Sequence, residues 1–166
     1  MDIIVQLTSE LTRLQGLSSA NPVPVTFAEP QGRTLELMFH AVDRIGCSLN
    51  QIRLTAPQLA GKDIDELREW AEALCRKITY LTEQLGPLEV DALDRKVLIR
   101  STPPDRSGDE TRFYEILLQT LGGGQFSLKR YATEKNPPSR DQVEIALTHE
   151  TLKKLVQDLW DLAAPA

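Results

Sequence analysis

Side chains that commonly bind metals through nitrogen or sulfur are few in this sequence, and they are His40, Cys47, Cys75 and His149. Zinc sites usually draw such ligands from short motifs, in which two cysteines or two histidines are separated by about two to five residues. None of the four residues lies in a motif of that kind. The sequence therefore predicts no metal site and no cofactor.

Residues suited to nucleophilic or acid–base catalysis are equally scarce. No serine lies in a Gly-x-Ser-x-Gly turn, and Cys75 falls beside the apolar stripe of a predicted helix, where a thiol is usually inert. Clusters of carboxylates suit a helix cap, a loop and an exposed helix face, and they are Asp63/Asp65/Glu66, Asp109/Glu110 and Asp158/Asp161. We predict no catalytic residue and no enzyme; an active site assembled from distant residues is the competing interpretation.

Three consecutive glycines, Gly122 to Gly124, match the composition of phosphate-binding loops. A phosphate loop leads into the N-terminus of a helix, which contributes its amide groups. Here the glycines lead into residues 125–131, whose alternating pattern predicts a strand, and they follow a strand predicted at 112–119. The glycines therefore predict a hairpin turn, a place where backbone with positive φ is common.

Basic and aromatic side chains gather on strands that we predict to be neighbours. They form a candidate ligand or partner surface of Arg100, Arg112, Lys129, Arg130 and Tyr131. Such a surface could bind an anionic ligand or a single-stranded nucleic acid. The simpler interpretation is that these cations form cross-strand ion pairs with nearby acids, namely Glu89, Glu115 and Glu134.

The overall charge argues against nucleic acid as the partner. Lysine and arginine number 19 against 24 acidic residues, which gives a net charge of −5. Domains that bind nucleic acid are usually basic, at least over one face. We therefore expect no nucleic-acid partner.

Targeting signals are also missing from the sequence. The first eleven residues lack the basic segment and cleavage site of a signal peptide, and no apolar run reaches the ~18 residues of a membrane span. The two cysteines are too few for a disulfide framework. We expect a cytoplasmic protein with two reduced, buried thiols and no membrane partner.

The strongest periodic pattern lies in residues 63–86. Its apolar residues follow a 3-4-3-4-3-4 spacing that places them on one face of a helix, and they are Ile64, Leu67, Ala71, Leu74, Ile78, Leu81 and Leu85. Asp63 and Glu66 form a capping box at the start. Gly86 and Pro87 are a typical helix end. The pattern predicts one long amphipathic helix.

The rest of the chain predicts two further helices and eight strands. One helix spans residues 2–16, and the other follows a cap at Thr148 and carries an apolar stripe of Leu152, Leu155, Val156, Leu159 and Leu162. The strands, identified by alternation of apolar and polar residues, are 23–27, 34–42, 47–54, 88–90, 97–99, 112–119, 125–131 and 143–147. Short connections between strands favour antiparallel pairing. We predict an α+β fold with a twisted, mostly antiparallel sheet, a long central helix and helices at both termini. We expect a single domain spanning residues 1–166; division near residue 60 is the alternative.

Two resemblances bear on function. Within residues 75–160, the segments Tyr-Leu-Thr-Glu (80–83), Arg-Ser-Thr-Pro-Pro (100–104), Tyr-Glu (114–115) and Leu-Lys-Arg-Tyr (128–131) resemble small uncharacterised bacterial proteins. That resemblance implies no functional residue. The acidity and element order resemble those of type III secretion chaperones, which are small acidic dimers with the order α-β-β-β-α-β-β-α. The strands predicted after residue 100 depart from that order.

These observations favour a non-enzymatic, cytoplasmic protein-interaction module, chaperone-like or an adaptor, that forms a homodimer. The dimer is expected because the helix at 63–86 and the N-terminal helix carry more apolar surface than one sheet face can cover. The competing outcome is that these surfaces meet each other within one chain. The alternative function is a small-molecule or anion-binding module that uses the strand face of Arg100, Arg112 and Arg130.

Overall fold

The computed structural model describes residues 2–102 and 105–165; Met1, Pro103, Pro104 and Ala166 lie outside the described residues. The described part of the chain forms four helices and ten strands. Their bounds are α1 Ile3–Leu14, β1 Ser18–Ala28, β2 Thr34–Val42, β3 Gly46–Thr55, α2 Pro57–Ala60, α3 Ile64–Lys77, β4 Gln84–Asp91, β5 Lys96–Thr102, β6 Asp105–Ser107, β7 Glu110–Gln119, β8 Gln125–Lys135, β9 Pro138–Val143, β10 Ile145–Thr148 and α4 His149–Leu162.

All ten strands belong to one sheet, and every pairing between them is antiparallel. The main path runs β1-β2-β3-β8-β7-β5-β4. Three shorter strands extend it, because β10 pairs with the start of β3, β9 with the end of β8 and β6 with the start of β7. The predicted α+β class and antiparallel sheet are confirmed.

The strands bury every second side chain. On β2, Leu35, Leu37 and Phe39 are fully buried, whereas Glu36 and Met38 between them are half-buried. α3 packs on β4, β5 and β7, α4 packs on β3 and β10, and α1 packs on α4. One cluster of buried side chains includes residues from both sides of residue 60.

None of the described helices is a candidate membrane span. Within residues 2–102 and 105–165, no helix combines the length and the apolar character needed to cross a membrane.

Polar side chains cap the helices as the sequence predicts. At α3, the Glu66 amide donates to Asp63 Oδ1 at 2.8 Å, and the Asp63 amide donates back to Glu66 Oε1 at 3.2 Å. At α4, the Thr151 amide donates to Thr148 Oγ1 at 3.1 Å. These bonds satisfy amides that have no partner within the helix.

The long central helix predicted for residues 63–86 is not confirmed. α3 ends at Lys77 and has 14 residues, the same number as α4. The chain leaves the helix at Ile78, bends over residues 81–83 and enters β4, and it buries Leu81, Glu83 and Leu85 in alternation.

The prediction of a helix beyond Lys77 failed for a simple physical reason. Leu81 and Leu85 are four residues apart, and this spacing places two side chains on one face of a helix and also on one face of a strand. Pairing with β5, in which Leu85 lies opposite Ser101, selects the strand. Gly86, predicted to end the helix, lies inside β4 with a φ of 125°.

We predict that Leu74→Ala lowers the free energy of unfolding by about 2–5 kcal/mol, because Leu74 is fully buried and its removal leaves a cavity. Leu93→Ala is the matched control, since the Leu93 side chain is 96% exposed and its truncation should leave stability unchanged. Urea unfolding monitored by circular dichroism measures both. Equal midpoints for the two variants would contradict the packing of α3.

The glycines at 122–124 form the turn between β7 and β8, as predicted. All three have positive φ, and Gly124 also packs against the backbone of α2. A Cβ at Gly124 would lie 2.5 Å from the Ala56 carbonyl oxygen and would overlap the Ala60 amide nitrogen. The Ala56 amide donates to the Gly124 carbonyl at 2.9 Å, which holds the turn against α2.

Gly124→Ala should therefore destabilise the protein more than Gly123→Ala. Both substitutions force alanine into positive φ, at about 1–2 kcal/mol each. Only Gly124→Ala adds a steric overlap, which costs about 1–3 kcal/mol more, because the nearest atom to a Cβ at Gly123 is Thr55 Cγ2 at 3.6 Å. Thermal melts of the two variants test this difference, and a larger loss for Gly123→Ala would contradict it.

Candidate interaction surface

The face of the sheet opposite the helices carries the side chains best placed to bind a partner. On β5, Val97 and Ile99 are fully buried on the helix side, so Leu98 and Arg100 point to the opposite face. The same alternation places Phe113, Glu115 and Leu117 of β7 and Lys129 and Tyr131 of β8 on that face. We call it the open face.

Two arginines on the open face share one carboxylate. Arg140 Nη2 lies 2.7 Å from Glu115 Oε2, and Arg100 Nε lies 3.3 Å from the same oxygen. The Glu115 side chain is 15% exposed, whereas those of Arg100 and Arg140 are 43% and 46% exposed. Arg100 also approaches Glu89 Oε1 at 3.8 Å, but Glu89 is 68% exposed, and such a pair contributes little.

Aromatic rings support both guanidinium groups. Phe113 and Tyr131 stack with ring centroids 6.0 Å apart. Arg140 lies over Tyr131 at 4.3 Å, and Arg100 lies over Phe113 at 5.9 Å. Stacking on a ring orients a guanidinium group while its N–H edge stays free to donate. We call Arg100, Phe113, Glu115, Tyr131 and Arg140 the arginine–aromatic cluster.

An apolar depression adjoins this cluster. A cavity of about 550 Å³ lies over the β4–β5 hairpin and is lined mainly by Val90, Ala92, Leu93, Leu98 and Leu117. A second cavity of about 280 Å³ is lined by Pro87, Arg100, Thr102, Thr111 and Phe113, among others.

The two cavities form one continuous surface because both are lined by Glu89 and Leu98. We call their combined surface the open-face groove. It is apolar over the hairpin, where Leu93 is 96% exposed and Leu98 and Leu117 are half-buried, and it becomes basic at the arginine–aromatic cluster.

The predicted surface is divided between the two faces of the sheet. Arg100, Lys129 and Tyr131 lie on the open face, whereas Arg130 lies on the helix face and is buried. Arg112 shares the strand face of Tyr114, on the helix side, and pairs with Glu110 at 2.5 Å. The division follows from alternation, because consecutive strand residues such as 129 and 130 cannot share a face.

Cross-strand pairing, the simpler interpretation of these cations, is confirmed for Arg100, which pairs with Glu115 directly opposite. Sequence reasoning missed Arg140 because Pro137 and Pro138 predicted a loop there. It also missed Phe113, although the alternation within 110–119 places it beside Tyr131, two residues from Glu115.

Arg130 forms a buried ion pair instead of a surface contact. Its Nη1 lies 2.9 Å from Glu83 Oε1, and the two side chains are 9% and 4% exposed. Ser101 Oγ donates to the same oxygen at 3.3 Å and accepts the Tyr114 amide at 2.7 Å. Arg130 also lies 4.2 Å from the Tyr114 ring centroid. This network connects the segment that precedes β4 with β5, β7 and β8, and burial raises the pKa of the Tyr114 hydroxyl.

We expect Arg130→Met to lower the free energy of unfolding by about 3–5 kcal/mol, because it leaves the Glu83 carboxylate buried without a counter-ion. The double variant Glu83→Leu/Arg130→Met should recover part of that loss, since no charge is then buried. Denaturant unfolding of the wild type, both single variants and the double variant measures the coupling. Strictly additive losses would contradict this account.

The cysteines and histidines lie on four different elements: His40 on β2, Cys47 on β3, Cys75 on α3 and His149 on α4. Burial raises the pKa of the Cys47 thiol to about 12 and also raises that of Cys75, which is half-buried. His40 Nδ1 lies 3.0 Å from the Ser19 carbonyl oxygen, and His149 Nε2 lies 3.1 Å from that of Gly46. Within the described ranges, no three histidine, cysteine or acidic side chains group as metal ligands.

Cys47 should react slowly with alkylating reagents, because only the thiolate is nucleophilic and its pKa is about 12. Raising the pH deprotonates the thiol, so its labelling rate should rise about tenfold per pH unit between pH 7 and 10. Iodoacetamide labelling followed by mass spectrometry of the two peptides measures this. Both cysteines should label rapidly in denaturant; rapid native labelling of Cys47 at pH 7 would contradict its burial.

Comparisons of the chain with protein-family models, with curated proteins and with solved structures find no match.

Proposed function

We propose that this chain is a non-enzymatic protein-interaction module of the cytoplasm, chaperone-like or an adaptor, which binds its partner on the open face of its sheet. The observation that supports this most directly is the open-face groove, in which apolar side chains adjoin exposed arginines. A surface of that mixed kind is typical of protein interfaces, where apolar contacts are combined with arginine and aromatic side chains.

The face is a better binding surface than the edges of the sheet. β1 and β4 are the outermost strands of the main path, and both contain proline: Pro22 and Pro24 in β1, and Pro87 in β4. Proline has no amide to donate and is a common device for protecting an edge strand from pairing. A partner that added a strand would lose hydrogen bonds there, whereas a partner on the face would not.

The groups in the groove favour binding over catalysis. Glu115, the carboxylate of the cluster, is occupied by hydrogen bonds from two arginines. Tyr131 lies under the Arg140 guanidinium. These contacts leave arginine donors and apolar surface as the groups available to a partner.

Homodimer formation stays a prediction, but the surfaces that motivated it are covered within one chain. Trp70 is buried and its Nε1 donates to the Leu162 carbonyl at 3.1 Å. Tyr80 donates to Asp158 Oδ2 at 2.8 Å, and the apolar stripe of α1 is buried where α1 meets α4. A homodimer would therefore use the open face.

Small-molecule or anion binding remains the alternative function. It was expected to use Arg100, Arg112 and Arg130 together, and of these Arg100 alone lies on the open face. Binding of a small anion without any protein partner would favour this alternative.

The proposal is tested by a capture experiment with the purified full chain as bait in extract of its native cell. Leu93→Asp places a charge in the apolar part of the groove, on a side chain exposed enough to be replaced without unfolding. Ile45→Asp is the matched control, because Ile45 is 75% exposed and lies in the β2–β3 turn.

We expect the wild type and the control to retain the same proteins, and the groove variant to lose them. A retained set that is identical for all three baits would contradict the proposal. Light scattering coupled to size exclusion, over a tenfold dilution, tests the homodimer, and a constant mass near 18.6 kDa would exclude it at those concentrations.

A further inference from the structure

We propose that the open-face groove recognises an extended acidic–apolar peptide segment. One carboxylate of the segment would bind Arg100 and Arg140, and a neighbouring large apolar side chain would occupy the cavity over Leu93, Leu98 and Leu117. This inference rests on the proposed function and specifies the chemistry of the partner.

The basic end of the groove is suited to a carboxylate. Arg100, Arg140 and Lys129 are three cations that lie near two carboxylates, those of Glu115 and Glu89, so one positive charge is in excess. Both arginine side chains are more than two-fifths exposed and are supported on rings, so their unused N–H groups are oriented before a partner arrives. Arginine presents paired donors that match the two oxygens of a carboxylate.

Lys129 strengthens this preference. It lies directly opposite Glu115 on the open face, next to the Tyr131 position. The weakly held Glu89, 3.8 Å from Arg100, is exposed and can be displaced by a partner carboxylate. The local excess of positive charge contrasts with the net charge of −5 of the whole chain.

The apolar end lies at a fixed distance from the basic end. Leu98 and Arg100 are two residues apart on β5 and are therefore separated by about 7 Å. An extended peptide advances by the same distance every two residues, so its apolar and acidic side chains should be about two to four residues apart. β5 has seven residues, and a peptide of about that length would cover the groove.

A peptide fits this surface better than a nucleic acid does. The Arg140 guanidinium covers the Tyr131 ring at 4.3 Å, and Phe113 stacks on the same ring, so Tyr131 is a poor platform for a base. The Glu89 and Asp91 carboxylates, which line the apolar half of the groove, repel phosphate.

A random peptide library displayed on phage tests the inference with the immobilised full chain. We expect selected peptides to share an Asp or Glu two to four positions from Leu, Ile or Phe. A synthetic peptide of the selected consensus, labelled with fluorescein, should then bind in an anisotropy titration. Arg100→Glu/Arg140→Glu should weaken its binding roughly tenfold or more.

Two further variants serve as controls. Arg53→Glu/Arg68→Glu makes the same change in net charge at exposed arginines outside the groove, and it should leave the affinity within about twofold. Arg100→Gln/Arg140→Gln removes the charges without reversing them, and it should also lose binding. Circular dichroism confirms that each variant is folded, and the neutral variant provides the test if the reversed one unfolds.

The possible results separate this inference from the proposed function. The inference is overturned if the selected peptides are apolar, lack an acidic residue and bind all arginine variants equally. That result would still agree with the proposed interaction module. If no peptide is enriched on the wild type relative to the Leu93→Asp variant, both the inference and the proposed function are contradicted. A fluorescein-labelled single-stranded oligonucleotide provides the third result. If it binds the wild type and this binding is lost in the arginine variants, the groove recognises nucleic acid and the peptide inference is overturned.

Discussion

The helices pack on one face of a ten-stranded antiparallel sheet, and every strand must therefore divide its side chains between an apolar interior and water. A shift of one residue in any strand would exchange the two sets. The constraint is strict in β8, where Phe126 and Leu128 face the interior and Lys129 and Tyr131 face out. The positions of the buried ion pair and of the surface cluster both follow from it.

Arg130 falls on the interior face under this constraint, and burial of its charge requires a counter-ion. Glu83 supplies it from the bend between α3 and β4, and Ser101 and Tyr114 complete the network. The segment between α3 and β4 is thereby attached to the centre of the sheet by a polar contact as well as by the apolar contacts of Leu81 and Leu85. On the open face, the same alternation brings Arg100 and Arg140 together over Glu115, where they are exposed to a partner.

Much of the architecture can be predicted from the sequence because it depends on local rules. Alternation of apolar residues identifies the strands, and the short connections predict antiparallel pairing. The capping box of Asp63 and Glu66 marks the start of α3, and three glycines mark the turn between β7 and β8. The surface was predicted in part: Arg100, Lys129 and Tyr131 lie on the open face, and the pairing of Arg100 with Glu115 follows from neighbouring strands.

The sequence by itself thus determined the fold class, the starts of the helices and most strands, since these reflect periodicity within a few residues. Tertiary structure decided where α3 ends, because the spacing of Leu81 and Leu85 suits a helix and a strand equally and pairing with β5 makes the choice. It also decided that Arg130 is buried and that Arg140 joins the cluster. Both depend on contacts between residues 25 to 47 positions apart, which no local pattern encodes.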